Sequence, residues 1–183
     1  MRKMFTALLA LFMLIGSTAS VAMAQDATPG ADEPVAPSGG ETAFASGIGE
    51  PAAYFSERGD AIALITVTDV ERGWQDYGEY YEPDPGYEYV AVTFEIENLA
   101  RNNMIAEPFD FSMLDELGRN NSRSYVSVDE DSGVTIFEDD TAIASGETVE
   151  LTIIFELYEQ TETAALMWQP DSGIIVMVDL RDA

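Results

Sequence analysis

Three segments of the chain alternate apolar and polar residues with a period of two, at residues 87–98, 147–158 and 174–180. Successive side chains of a β-strand point to opposite faces of a sheet, so each segment is predicted to be a strand with one dry face and one wet face. Tyr89 and Thr93 are among the residues predicted to face water. The residues predicted to point inward are Val90, Val92, Phe94, Ile96, Val149, Leu151, Ile153, Phe155, Leu157, Ile174, Val176, Val178 and Leu180.

Weaker apolar runs predict four further strands, at residues 61–70, 109–114, 124–128 and 164–168. Turn-forming pairs such as Gly59-Asp60 and Ser145-Gly146 separate the segments. No window carries the i, i+3, i+4, i+7 spacing of an amphipathic helix. Half-buried strands with almost no helix predict an all-β fold, in which about seven antiparallel strands form two sheets packed face to face.

Short motifs along residues 48–183 match those of a known domain in order and spacing. They are Ile48-Gly49-Glu50-Pro51, Gly59, the strand at 62–70, Gly86-Tyr87 before the strand at 90–98, residues 109–115, Gly118, Tyr125, Ser145-Gly146-Glu147 and Val178-Asp179-Leu180. On these motifs the chain resembles the telokin-like, immunoglobulin-like domain of unknown function found in exported bacterial proteins. The resemblance implies a non-catalytic immunoglobulin-like β-sandwich and brings no active-site residues with it. A long acidic and aromatic insert after Val70 and the near absence of lysine depart from that pattern.

The first residues have the layout of an export signal. Arg2 and Lys3 precede the apolar stretch at 4–15, and Ala22-Met23-Ala24 forms a small-x-small cleavage site. Residues 1–24 are therefore predicted to be a signal peptide, and the protein is expected to be secreted, outside the cell or in its envelope. Residues 25–47 are rich in Pro, Gly, Ala and acids, which predicts a disordered linker before a single domain at 48–183.

The chain carries 34 acidic and 8 basic residues, for a formal net charge of −26 at pH 7, and it has neither Cys nor His. This strong negative charge opposes binding to nucleic acid or to an anionic membrane. No membrane insertion is expected after signal cleavage. The missing residue types remove thiol nucleophiles, His-ligated metal sites and Ser-His-Asp triads. The acid excess is also compatible with life in high salt, because screening relieves the repulsion between like charges.

The insert at residues 73–87 is the most unusual stretch in composition, because tyrosines alternate there with acids. Aromatic rings supply rigid contact area, and carboxylates accept hydrogen bonds from sugar hydroxyls or pair with basic peptides. A ligand site for an extracellular protein or glycan is therefore predicted here. The alternative is a long hairpin loop whose rings fold back onto the edge of the sandwich. The predicted ligand-binding residues are Trp74, Tyr77, Tyr80, Tyr81 and Tyr87.

Acidic residues cluster a second time at 129–140. Calcium is bound by six to eight oxygen ligands, so Asp129, Asp131, Asp139 and Asp140 are predicted as ligands of a stabilising Ca²⁺. The spacing does not fit the calcium loop of helix-loop-helix proteins, because Gly133 falls at the fifth position when Asp129 is counted first. A solvated acidic loop is the alternative interpretation.

These observations favour a secreted, non-catalytic binding or interaction module, with no cofactor other than the calcium considered above. A calcium-stabilised acidic structural domain is the second hypothesis. A carboxylate-based glycan hydrolase is the third, since two carboxylates about 5–10 Å apart in a cleft can cleave a glycosidic bond. A compact sandwich offers no obvious cleft for such a pair, which argues against an enzyme.

Overall fold

The computed structural model describes residues 46–128, 133–170 and 174–182. The predicted signal peptide and the predicted linker up to residue 45 lie outside the described residues. The described part contains ten strands and one short 3-10 helix, Pro108–Asp110. The strands are β1 (Ala52–Phe55), β2 (Ala61–Arg72), β3 (Tyr87–Asn98), β4 (Met104–Ala106), β5 (Phe111–Asp115), β6 (Asn120–Ser122), β7 (Thr141–Ile143), β8 (Thr148–Tyr158), β9 (Thr163–Trp168) and β10 (Val176–Asp179).

Two four-stranded antiparallel sheets form the body of the domain. The first sheet has the order β1-β2-β3-β8, and the second has the order β10-β9-β5-β6, while β4 and β7 form a separate two-stranded ladder. The long strands β3 and β8 pair along their whole length, with Val90 opposite Phe155 and Phe94 opposite Leu151. In this register the apolar residues of one strand lie opposite the apolar residues of the other, so both sets point to the same face of the sheet.

The main core lies between the two sheets. It joins Val92, Phe94 and Phe155 of the first sheet to Phe111 and Trp168 of the second. The rings of Phe94 and Phe111 stack with centroids 4.8 Å apart, and Phe111 stacks on Trp168 at 5.8 Å. The predicted all-β, immunoglobulin-like antiparallel sandwich is confirmed, and most of the residues predicted to point inward belong to this core.

Some local predictions are wrong. Residues 124–128 form no strand; the chain around them makes only single bridges, between Arg123 and Phe155 and between Tyr77 and Val128. Ile174 is exposed because β10 begins only at Val176. The short strands β1, β4, β6 and β7 were not predicted, since three or four residues are too few for an alternating pattern to be recognised.

A second, smaller core covers the outer face of the first sheet. Tyr89 and Ala91 of β3 and Ile154 of β8 are buried there beneath Trp74 and Val126. Tyr89 was predicted to face water, and this is wrong because the segment after β2 folds back over it. Along the described residues, no helix has the length and hydrophobicity needed to cross a membrane.

Candidate functional site

The structure separates the five predicted ligand-binding aromatic residues by burial. Trp74 is only 2% exposed. Its backbone amide donates to the carbonyl of Tyr89 at 3.0 Å, and its ring lies 6.1 Å from Tyr77 and 6.3 Å from Tyr89 between centroids. Burial, followed by the nearby carboxylate of Glu156, raises the pKa of the Tyr89 hydroxyl. Trp74 and the half-buried Tyr77 thus pack on the sheet, as the alternative interpretation of the insert predicts.

The other three predicted residues are exposed. Tyr80 is 88% exposed, and a hydrogen bond with the side chain of Glu79 raises the pKa of its hydroxyl. Tyr81 and Tyr87 are also exposed, and Tyr87 meets Tyr158 of β8 edge to face with centroids 5.5 Å apart. These three rings therefore remain available to a partner, whereas Trp74 is not.

The predicted calcium ligands are placed only in part. Asp129 and Asp131 lie outside the described residues, and Asp139 and Asp140 are exposed. Within the described ranges, no group of three or more acidic side chains is arranged to hold a metal ion. The calcium site stays a prediction from the sequence.

A cavity that the sequence did not indicate lies on the outer face of the second sheet. Its volume is about 450 Å³. Ser112 of β5 is in register with Ser122 of β6 and with Met167 of β9, so these three outward-facing residues form one surface of the cavity. Phe109 and Asp110 of the 3-10 helix also line it, together with Phe111, Asn120, Arg123, Tyr125, Gln169 and Ile175. We call it the Arg123 cavity.

Arg123 is the one basic residue among the described residues that line this cavity. It follows β6 directly, where the chain leaves the second sheet and bridges to Phe155 of the first. The residue is 8% exposed, and its Nε atom is buried without a hydrogen-bond partner among the described residues. The guanidinium carbon lies 4.5 Å from the ring centroid of Phe109 and 4.1 Å from that of Tyr125. Both distances are within the range of cation–π attraction.

The two rings that hold Arg123 face solvent. Phe109 is 70% exposed and Tyr125 is 65% exposed, and their centroids are 6.3 Å apart with the planes inclined by 57°. The guanidinium thus occupies the notch between two inclined rings. Large apolar side chains in water are unfavourable unless they are covered, so an exposed aromatic pair beside a cavity is typical of a binding site.

Arg123 differs from the other arginines in its electrostatic surroundings. In the described part of the chain, Arg123 makes no ion pair. Arg58 and Arg101 are exposed. The three remaining arginines of the described residues bind acids: Arg72 pairs with Glu88 and Glu162, Arg119 with Asp115, and Arg181 with Asp179.

A second depression adjoins the Arg123 cavity. It has a volume of about 530 Å³ and is lined by Tyr81, Tyr125, Glu138 and the segments 126–128 and 134–136. Tyr125 belongs to both linings. One of the predicted tyrosines, Tyr81, therefore lies on a surface that continues to Arg123.

Sequence reasoning missed the Arg123 cavity, although one signal pointed to it. Arg123 and Tyr125 are two residues apart, which places them on the same side of an extended chain. With so few basic residues in an acidic chain, an arginine beside an aromatic residue is conspicuous. Phe109, by contrast, is distant in the sequence and reaches Arg123 only through the β5–β6 pairing.

Comparisons with known proteins agree with this fold. The structure is similar to the yjhA protein from Bacillus subtilis, with 17% identity, a TM-score of 0.54 and coverage of 74% of this chain and 98% of that chain. It is also similar to MPT63, a secreted protein from Mycobacterium tuberculosis, with 14% identity, a TM-score of 0.54 and coverage of 77% and 99%. No curated protein matches the chain. The model of a family described as a domain of unknown function, DUF4352, matches residues 59–174. This match spans more than half of the sequence and lies within the β-sandwich, so the chain belongs to the DUF4352 family.

Proposed function

We propose that the protein is an exported binding module that holds a small ligand in the Arg123 cavity and performs no reaction on it. The observation that carries this proposal is the buried guanidinium of Arg123, which has no ion-pair partner among the described residues and lies between the exposed rings of Phe109 and Tyr125. Cavities of this size with apolar walls and a few convergent polar groups are typical of small-molecule sites.

The lining of the cavity supports binding without catalysis. Among the described residues that line it, Asp110 is the one carboxylate, whereas glycoside hydrolysis requires two. Ser112 and Ser122 supply hydroxyls, but activation of a hydroxyl nucleophile needs a neighbouring base. The chain contains no histidine for that role, and its single lysine is Lys3 in the predicted signal.

The expected location is outside the cell or in its envelope. The layout of residues 1–24 supports export. MPT63, which has a similar fold, is itself a secreted protein. A soluble ligand of the surroundings would reach the Arg123 cavity directly, since both of its aromatic walls are exposed.

A larger partner can extend beyond the cavity. The second depression continues from Tyr125 to Tyr81, and Tyr80 and Tyr87 are exposed in the same insert of the chain. An extracellular glycan or protein that places one group beside Arg123 would therefore have further aromatic surface to contact. In this proposal the tyrosines add contact area, and the Arg123 cavity holds the ligand.

Ligand-observed NMR with a library of neutral, cationic and anionic aromatic fragments tests the proposal. The purified protein is compared with Tyr125→Ala, which opens the cavity, and with Tyr80→Ala, which removes an exposed ring outside it. We expect fragments that bind the unmodified protein to lose binding in Tyr125→Ala and to keep it in Tyr80→Ala. The reverse pattern would assign binding to the tyrosine insert, and conversion of a bound fragment would contradict a non-catalytic role.

A further inference from the structure

It is unexpected in this protein that Arg123 makes no ion pair in the part of the chain that the structure describes. Acidic residues number 34 against 8 basic ones, so a buried arginine with a structural role would readily find a carboxylate. Arg72, the other arginine shielded from solvent, binds two glutamates and the carbonyl of Thr161. Leaving a buried polar group without a partner costs free energy that folding does not recover. Within the described residues no acid forms an ion pair with Arg123, and this calls for an explanation from function.

The two aromatic rings offset only part of this cost. Cation–π contacts stabilise the guanidinium through its faces, whereas its N–H groups still require acceptors in the guanidinium plane. Nε is buried without an acceptor among the described residues, so a ligand in the cavity would bind the guanidinium through its two Nη groups. Carboxylates are the acceptors whose geometry matches the fork of an arginine, through two parallel hydrogen bonds.

The remaining walls indicate what the carboxylate is attached to. Phe109, Tyr125 and Ile175 are exposed large apolar residues, and Met167 adds a flexible thioether beside them. Covering these side chains with an apolar body would remove their surface from water, and the aromatic pair favours a flat body. The cavity volume of about 450 Å³ accommodates such a group.

The charge of the protein restricts the ligand further. A net charge of −26 repels anions, and the repulsion doubles from a monoanion to a dianion. Asp110 on the cavity wall acts in the same direction at short range. One guanidinium matches one carboxylate, so phosphate monoesters and dicarboxylates are disfavoured.

We infer that the Arg123 cavity binds a small organic monocarboxylate, with the carboxylate on the guanidinium of Arg123 and an aromatic or aliphatic body against Phe109 and Tyr125. This inference rests on the proposed function, because it names the ligand class of the same cavity. It goes further by giving the charge and the shape of the ligand.

Phenylacetate, its neutral isostere phenylacetamide, and inorganic phosphate are the probes, and each is titrated into the purified protein by isothermal calorimetry or NMR. A hydrogen bond to a charged group is worth about 1.5–3 kcal/mol, which corresponds to about a 10- to 150-fold difference in affinity. We therefore expect phenylacetate to bind at least about tenfold more tightly than phenylacetamide. Phosphate is expected to bind more weakly than phenylacetate. Equal binding of acid and amide, tighter binding of phosphate, or no binding of phenylacetate would each overturn the inference.

Substitution of Arg123 provides the second arm. Arg123→Met keeps an unbranched apolar side chain against both rings, and Arg123→Lys keeps the charge but loses the planar fork. Arg101→Gln is the control, because it changes the net charge by the same amount as Arg123→Met at an exposed position outside the cavity. We expect phenylacetate to bind about tenfold or more weakly to Arg123→Met, more weakly to Arg123→Lys, and unchanged to Arg101→Gln.

The outcomes separate this inference from the proposed function. One outcome keeps the proposed function but contradicts the inference. In it, neutral fragments bind the unmodified protein and do not bind Tyr125→Ala, while the Arg123 variants bind phenylacetate as tightly as the unmodified protein does. The cavity would then be a binding site, but not one for carboxylates. If Arg123→Met does not fold, Arg123→Lys and the comparison of acid with amide in the unmodified protein still decide the question. If no fragment of any charge binds the unmodified protein, both proposals are overturned.

Discussion

Trp74 and Tyr80 lie six residues apart in the same insert, and they are expected to respond in opposite ways to substitution by alanine. Trp74 is 2% exposed and contacts the rings of Tyr77 and Tyr89, whereas Tyr80 is 88% exposed. Replacing a buried Trp by Ala lowers the free energy of unfolding by about 3–5 kcal/mol, because apolar burial is lost and a cavity is left behind. For a domain of this size, Trp74→Ala should lower Tm by about 10–15 °C. Tyr80→Ala should change the free energy of unfolding by less than about 0.5 kcal/mol.

Urea unfolding followed by far-UV circular dichroism measures both effects, since this signal does not depend on the tryptophan that is removed. Equal m-values in the two variants would show that the same surface is exposed on unfolding. If Trp74→Ala were as stable as the unmodified protein, the second core would contribute nothing, and the reasoning from burial would be refuted. A large loss in Tyr80→Ala would contradict the placement of the insert.

Three further results are expected. Asp115 is buried, and although burial raises its pKa, hydrogen bonds from the backbone amide and side chain of Arg119 outweigh it, so the pKa falls below its ordinary value of 3.8. The stabilisation from Asp115 is thus present above that value and lost as pH falls through the lowered pKa. Asp115→Asn should lower the free energy of unfolding by about 1–2 kcal/mol at pH 7, a modest loss because Arg119 is half-exposed. Measured by urea unfolding, the difference in this free energy between the variant and the unmodified protein should narrow below about pH 4. A difference that stays constant with pH would contradict the prediction. Asn98→Ala should lose at least about 2 kcal/mol in the same assay, because the buried amide of Asn98 donates to the carbonyls of Asn102 and Ile143 at 2.9 Å; a loss below about 0.5 kcal/mol would show that water replaces these bonds. The net charge of −26 predicts that Tm rises with NaCl concentration, because salt screens the repulsion between like charges. Screening goes from weak to strong between roughly 0.05 and 1 M NaCl. A constant Tm over this range would show that the repulsion contributes nothing to stability.

The fold class could be predicted because alternation is a local property. Val90, Val92, Phe94 and Ile96 all belong to the core, as their spacing predicts. Tyr89 and Ala91 show where this reasoning fails. Alternation with a period of two indicates that a strand has two different faces. It gives no information on whether a segment distant in the sequence covers the second face. The insert that was predicted as a ligand site contributes that cover through Trp74.

The excess of acid, the absence of Cys and His, the phase of the long strands and hence the two-layer β-sandwich follow from the amino-acid order alone, because each of these depends on composition or on neighbours along the chain. Which aromatic residues are buried and which are exposed depends instead on the packing of distant segments. The contact between Phe109 and Arg123 likewise arises only in the folded chain, since strand pairing between β5 and β6 brings these residues together. Whether a charge is paired depends on neighbours in space, so only the three-dimensional arrangement shows that Arg123 makes no ion pair with the acids of the described residues.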